Sequence, residues 1–135
     1  MRKALLILGL LASVAIGACR APGHGIERPS LVGRWVGTYR QLNVGISYPM
    51  DISITEHSGG LEVVSDWKWR GMDARTLGHG RNLRDGMAWT EEDLVHGSGV
   101  VLGGEYIARR TENGLEGTYF LEEKEEGRFT IERAE

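Results

Sequence analysis

The sequence has a single cysteine, Cys19, and only three prolines among its 135 residues. One cysteine excludes an intrachain disulfide, and if Cys19 is modified, no thiol remains for a nucleophile or for a thiolate metal site. An excess of basic charge is also missing, because 16 Lys and Arg residues stand against 19 Asp and Glu residues. The chain has no basic stripe either, and we therefore expect no binding to nucleic acid.

Motifs for catalysis and for metal binding are missing as well. The sequence contains no Gly-x-Ser-x-Gly elbow, no phosphate-binding glycine loop and no His-Glu-x-x-His. The four histidines, at positions 24, 57, 79 and 96, are too widely spaced to form a ready-made metal site. We therefore predict that the protein is not an enzyme and holds neither a metal nor another cofactor.

The N-terminus has the layout of a secretion signal. Met1-Arg2-Lys3 is positively charged, and residues 4–16 form an apolar run that only Gly9 and Ser13 interrupt. This run is shorter than the ~20 apolar residues that a membrane-spanning helix needs. The stretch Ile16-Gly17-Ala18-Cys19 resembles the lipobox of bacterial lipoprotein precursors.

The lipobox resemblance implies a lipid anchor. It predicts a signal peptide over residues 1–18, cleavage after Ala18, and acyl chains such as palmitate on the mature Cys19. Two or more acyl chains hold a protein firmly on a bilayer, whereas one chain holds it marginally. Because Arg20 rather than Asp follows the cysteine, the resemblance implies the outer membrane of a two-membrane bacterium, facing the periplasm. A tether over residues 19–30, rich in Pro and Gly, then holds the domain close to the cell envelope.

From residue 31 onward, apolar and polar side chains alternate with the period of two that is typical of half-buried strands. In the clearest run, residues 47–55, every second side chain from Tyr48 to Ile54 is apolar. No stretch after residue 30 keeps a 3.6-residue apolar period for three turns, as an amphipathic helix would. Turn-forming dipeptides such as Asp85-Gly86 and Asn113-Gly114 separate the strands.

Seven such reversals predict eight strands, and the last reversal is expected at Glu125-Glu126-Gly127. The expected strand bounds are 34–40, 47–55, 61–70, 75–84, 87–94, 99–111, 115–122 and 127–133. Because the loops are short, neighbouring strands should run antiparallel as a meander. We predict an all-β domain over residues 31–135, an eight-stranded up-and-down barrel without free edges. A two-sheet β-sandwich is the alternative.

Gly33-Arg34-Trp35 resembles the Gly-x-Trp with which calycins, the superfamily of lipocalins and avidins, begin their first strand. These barrels also place a basic residue near the end of the last strand, and Arg133 occupies that position here. The resemblance implies that Arg133 packs over Trp35 and closes one end of the barrel, through a contact worth roughly 0.5–2 kcal/mol. It implies a shape and does not identify a ligand.

Five residues are candidates for a ligand pocket in the open end of the barrel: Trp67, Trp69, Trp89, His79 and Arg81. Aromatic rings suit a pocket wall, and a buried Arg would offer a planar fork to a carboxylate or a phosphate. His79 and Arg81 share one face of their strand with Leu77 and Leu83, and if that face is outward, both side chains lie in water. The tryptophans have an alternative role as plain core filling.

These features predict a membrane-anchored envelope lipoprotein that presents a small non-catalytic barrel with a structural or protein-interaction role. The alternative is small-molecule binding in the open end of the barrel. A cavity of roughly 300–1,000 Å³ would favour ligand binding, whereas a lumen filled by side chains, which eight strands permit, would favour interaction. The expected partners are the membrane, through Cys19, and either an envelope protein or a small ligand.

Overall fold

The computed structural model describes residues 29–135, and the compact unit that it contains spans Leu31–Glu135. The predicted signal peptide, Cys19 and all but the last two residues of the predicted tether lie outside the described residues. Within the described part of the chain, no helix is long and apolar enough to cross a membrane.

Eight strands form the domain, and each pairs antiparallel with its neighbours in sequence. Their bounds are β1 Gly33–Gln41, β2 Ile46–His57, β3 Gly60–Trp69, β4 Met72–Leu83, β5 Gly86–His96, β6 Glu105–Arg110, β7 Gly114–Leu121 and β8 Lys124–Arg133. Strand β1 also pairs with β8, so the sheet closes into a barrel. The predicted all-β, eight-stranded up-and-down barrel is confirmed, and the sandwich alternative is wrong.

The meander gives the barrel two different ends. The loop end is formed by the connections 42–45, 70–71, 97–104 and 122–123. The Trp35 end is formed by the connections 58–59, 84–85 and 111–113, together with the start of β1 and the end of β8. The connection 97–104, between β5 and β6, is the longest of the seven and belongs to the loop end.

Alternation of side chains explains why these segments form strands around one core. In β2, Met50, Ile52 and Ile54 are buried, whereas Ser53 between them is exposed. Aliphatic side chains that are at most 2% exposed fill the half of the barrel toward the Trp35 end: Ile52, Ile54, Leu61, Val63, Met87, Leu115 and Ile131. Each such burial contributes roughly 1.5–3 kcal/mol.

Three predicted strand starts are wrong by three residues or more, and the first is that of β4, which begins at Met72 instead of residue 75. Strand β6 begins at Glu105 instead of residue 99, since residues 97–104 form a connection with glycines at positive φ. The last reversal lies at Glu122 and Glu123, with φ of 54° and 67°, instead of at the following Glu-Glu-Gly. Gly127 lies inside β8, and a Cβ at this position would overlap the hydroxyl of Tyr39. This glycine makes room for an inward tyrosine, and it does not form a turn.

At the Trp35 end, the first and last strands meet as the resemblance implied. Trp35 is directly opposite Arg133 in the β1–β8 register. The Arg133 guanidinium lies 4.4 Å from the centre of the indole ring, and its Nη1 donates a hydrogen bond to the Val32 carbonyl at 2.7 Å. The indole Nε1 of Trp35 donates to the Leu31 carbonyl at 2.9 Å. The buried indole therefore has a partner for its only donor and a cation over its face.

Candidate functional site

A cavity of about 180 Å³ opens inside the loop end of the barrel, and we call it the cup. Its wall contains five aromatic side chains, Tyr39, Tyr48, Trp67, Tyr106 and Tyr119, and two acidic ones, Glu91 and Glu126. The long connection contributes Gly99, Val100 and Val101 to the wall, and Val100 packs against the hydrophobic core. The loop end thus holds a cavity lined by aromatic and acidic side chains.

The aromatic rings of the cup support one another in edge-on and tilted contacts. Tyr39 lies at the centre, with its ring centre 5.8 Å from that of Trp67 and 6.0 Å from that of Tyr119. Tyr106 and Tyr119 are closer, at 4.5 Å. Tyr48 stacks on Tyr39 at 6.0 Å. Such contacts are worth about 0.5–1.5 kcal/mol each beyond area burial, so the wall is held in place without a ligand.

Glu91 is the charged group at the base of the cup, and it is 1% exposed. Its Oε2 accepts hydrogen bonds from Trp67 Nε1 at 2.9 Å and from the Thr76 hydroxyl at 2.7 Å. Its Oε1 accepts a hydrogen bond from the Tyr106 hydroxyl at 3.0 Å. All three donors are neutral, so the carboxylate has hydrogen bonds but no cation from these neighbours.

Strand β5 brings Glu91 inside by simple alternation, since Met87, Trp89 and Glu91 share the inward face. Gly78 is opposite Glu91 in the β4–β5 register, and a Cβ at position 78 would overlap the Thr90 carbonyl oxygen. Beyond Glu91 the pairing with β4 shifts register, and the Gly103 amide donates to the Glu91 carbonyl at 2.9 Å. The long connection is thereby fixed to the strand that carries the carboxylate.

The cup shifts the acidity of its phenols. Burial, with the Glu91 and Glu126 carboxylates nearby, raises the pKa of the Tyr119 phenol to about 12. Burial likewise raises the pKa of Tyr39 above its ordinary value. For the fully buried Tyr106, burial and the adjacent Glu91 raise the pKa well above the ordinary value. These phenols are therefore neutral hydrogen-bond donors near neutral pH.

The structure places the three candidate tryptophans differently. Trp67 lines the cup. Trp69 packs edge-on against Tyr48, with ring centres 4.8 Å apart, and carries Arg70 over its outer face. Trp89 lies deeper, 1% exposed and stacked on Tyr106 at 4.7 Å. Its Nε1 is buried without a hydrogen-bond partner among the described residues. Only Trp67 of the three belongs to the cavity wall.

His79 and Arg81, two of the candidate pocket residues, do not line the cup, and the alternative in which both side chains lie in water is the one observed. Both side chains are on the outer surface, where His79 Nδ1 is 2.9 Å from Glu92 and Arg81 is 3.6 Å from Glu105. The inward positions of β4 carry Ala74, Thr76 and Gly78, which are buried. The small side chains of this inward face gave no apolar pattern, and the leucines on the outward face suggested the opposite orientation.

A second, larger concavity of about 610 Å³ lies where the β4–β5 turn meets the outer face of β6, β7 and β8. Its charged lining residues include Arg109, Glu116 and Arg128. Arg109 pairs with Glu116, and Arg128 pairs with Glu125 at 2.5 Å. In each of these exposed pairs the two charges neutralise each other. Glu91 differs, because it is a buried carboxylate that accepts its hydrogen bonds from neutral donors.

Sequence reasoning missed Glu91, Glu126 and the four tyrosines as site residues. Glu91 is hidden in the acidic run Glu91-Glu92-Asp93, which suggests a solvated surface. The signal that could have found it is its spacing of two from Trp89, which predicts a shared face.

Among residues 29–135, no group of three or more His, Cys, Asp or Glu side chains is arranged to hold a metal ion. Comparisons of the chain with protein-family models, with curated proteins and with solved structures find no match.

Proposed function

We propose that this protein is a lipid-anchored envelope protein whose barrel binds a small molecule in the cup and catalyses no reaction. The observation that supports binding is the cavity of about 180 Å³ in which aromatic rings surround the buried carboxylate of Glu91. Ligand sites combine apolar walls with a few fixed polar groups. At about 180 Å³, the cup lies below the roughly 300–1,000 Å³ that is typical of sites for drug-sized ligands, so the ligand that we propose is a smaller, compact molecule.

Ligand binding is tested by native mass spectrometry of the full chain purified in detergent from a bacterial envelope, followed by identification of any released small molecule. Val100→Phe places a larger side chain in the cup wall and should remove the bound species. Val95→Phe is the matched control, because Val95 is 57% exposed at the end of β5 and does not line the cup. Equal ligand occupancy in both variants would reject the cup as the binding site.

The proposed anchor is the lipid on Cys19, and the proposed location is the outer membrane facing the periplasm. The lipobox resemblance of Ile16-Gly17-Ala18-Cys19 supports both. Cys19→Ser should abolish partitioning of the protein into the detergent phase, because the sulfur that carries the diacylglyceryl group is lost. If the variant partitions like the unchanged protein, another segment holds it to the membrane.

A structural or protein-interaction role is the second candidate, supported by exposed apolar side chains gathered at the loop end. Six of them belong to the connections or strand ends there: Leu42, Val44, Ile46, Leu94, Val95 and Val101. Crosslinking in intact envelopes tests this role. Capture of one specific protein by a loop-end crosslinker, with no small molecule in the purified chain, would favour this candidate over ligand binding.

We also propose that the barrel is built on the calycin plan. The Arg133 guanidinium over the Trp35 ring supports this relationship, since the resemblance implied that contact. Calycin barrels leave the end opposite the stacked tryptophan open, and the cup lies at that end here.

A further inference from the structure

The buried carboxylate of Glu91 has no cationic partner among the described residues. Within residues 29–135, no Lys, Arg or His forms an ion pair with it, and its three hydrogen bonds come from Trp67, Thr76 and Tyr106. Removing a carboxylate from water is costly unless a cation or strong hydrogen bonds compensate it. Neutral donors supply part of that compensation, and a positive charge in the adjoining cavity would supply the rest.

The charged side chains that line the cup are all acidic. Among residues 29–135 they are Glu91 at its base and the half-buried Glu126 on β8, and these residues bring neither Lys nor Arg to the lining. An anionic ligand would meet two carboxylates and no basic group. A neutral ligand would leave the charge of Glu91 without a counterion. Charge complementarity therefore selects a cation.

The remaining wall suits an organic cation better than a metal ion. Tyr39, Trp67 and Tyr119 present rings to the cavity, and aromatic rings attract ammonium groups by roughly 0.5–2 kcal/mol each. A hard metal ion would need several oxygen ligands at once, and the described residues form no such cluster. The volume of about 180 Å³ limits the ligand to a compact molecule.

We propose that the cup binds a small alkylammonium ion, whose positive charge lies between the Glu91 carboxylate and the aromatic rings. This inference rests on the proposed function, and it adds the chemical class of the ligand. The acidic balance of the whole chain, 19 acidic against 16 basic residues, favours the approach of a cation.

The test uses two probes of nearly the same shape and different charge. Choline carries a quaternary ammonium, and 3,3-dimethylbutan-1-ol carries a neutral tert-butyl group in its place. Isothermal titration calorimetry of the full chain in detergent should give a Kd for choline that is at least about tenfold lower than the Kd for 3,3-dimethylbutan-1-ol. Equal binding of the two probes, stronger binding of the alcohol, or no binding of choline would overturn the inference.

A pair of neighbouring variants locates the charge. Glu91→Gln keeps the shape of the side chain and removes its charge, so choline affinity should fall about tenfold or more while affinity for the alcohol changes little. Glu92→Gln is the control, since Glu92 is an exposed residue that pairs with His79. If Glu91→Gln fails to fold, Glu126→Gln takes its place and should weaken choline binding by severalfold. Choline affinity that is unchanged in the folded Glu91 or Glu126 variant would contradict the inference.

Failure of this inference is distinguishable from failure of the proposed function. If mass spectrometry finds a neutral or anionic molecule that Val100→Phe displaces, the cup binds a ligand and the cation is wrong. If neither probe binds and no small molecule accompanies the purified chain, both proposals fail together. Choline binding that Val100→Phe removes and Val95→Phe preserves supports both.

Discussion

The two ends of this barrel are formed by the same eight strands and bury opposite kinds of chemistry. Toward the Trp35 end, the buried side chains are mostly aliphatic, and the Arg133 guanidinium lies over the Trp35 indole near the edge. Toward the loop end, the interior holds a carboxylate, several phenols and a cavity of about 180 Å³. The difference indicates that one end supplies the packing that stabilises the barrel, whereas the other gives up packing to present a polar site.

The largest expected effect is at the packed end. Trp35→Ala should lower the free energy of unfolding by about 3–5 kcal/mol, because it removes a large buried ring and leaves a cavity. Trp69→Ala at the loop end is the matched control and should cost less, because Trp69 is only partly buried. Urea denaturation followed by circular dichroism measures both. Equal losses would mean that the two ends contribute alike to stability.

Glu91 is the next test, because it is the most polar group in the interior. Glu91→Ala should lower the free energy of unfolding by about 1–3 kcal/mol, since Trp67, Thr76 and Tyr106 lose their acceptor and water reaching the cup replaces it only in part. Glu92→Ala on the surface should change stability by less than about 0.5 kcal/mol. If Glu91→Ala raises the free energy of unfolding instead, removing the carboxylate from water costs more free energy than its hydrogen bonds contribute.

Alkaline pH should lower the free energy of unfolding through the buried phenol of Tyr119 at the loop end. The pKa of Tyr119 is about 12 in the folded protein against an ordinary value of 10, so the fold favours the neutral phenol. That contribution is complete below pH 10 and is lost as the pH rises from 10 toward 12, by about 1 kcal/mol at pH 11. Tyr119→Phe should lose less stability between pH 8 and pH 11 than the unchanged protein. Parallel curves for Tyr119→Phe and the unchanged protein would contradict this account.

The fold could be predicted where alternation was strong and failed where it was not. In β2, Met50, Ile52 and Ile54 identified the inward face correctly because Asp51 and Ser53 between them are polar. In β4 the inward face carries small side chains, including Gly78, which fits against the backbone of β5. A pattern of apolar residues cannot identify an inward face that is made of alanine, threonine and glycine, so the sequence alone left the orientation of His79 open.

The site was harder to predict than the fold, because its residues converge from all eight strands. Tyr39, Trp67 and Glu91 are far apart in sequence and meet only after β1, β3 and β5 take their places in the closed sheet. Closure was predicted from the eight-strand meander, and the resemblance of Gly33-Arg34-Trp35 and Arg133 to the calycin pattern implied that Trp35 and Arg133 meet. The partners of Glu91 depend on the register between strands, which the sequence does not display.

The smallest expected effect is the coupling between Trp35 and Arg133, and it tests whether the packed end works as one unit. Arg133→Ala should cost roughly 1–2 kcal/mol through lost packing and lost cation–π attraction. Because the guanidinium lies 4.4 Å from the centre of the indole ring, each truncation removes part of what the other would remove. The double variant should therefore cost less than the sum of the single variants by at least about 0.5 kcal/mol. Urea denaturation of the four proteins of this cycle measures the difference.

Arg70→Ala with Trp69→Ala is the matched cycle at the loop end. There the same kind of contact spans 4.8 Å on an exposed rim. Coupling there should be weaker, because solvent screens the exposed guanidinium. Strict additivity at the Trp35 end would mean that the stacked pair does not stabilise closure, and the packed end would then depend on its aliphatic core alone.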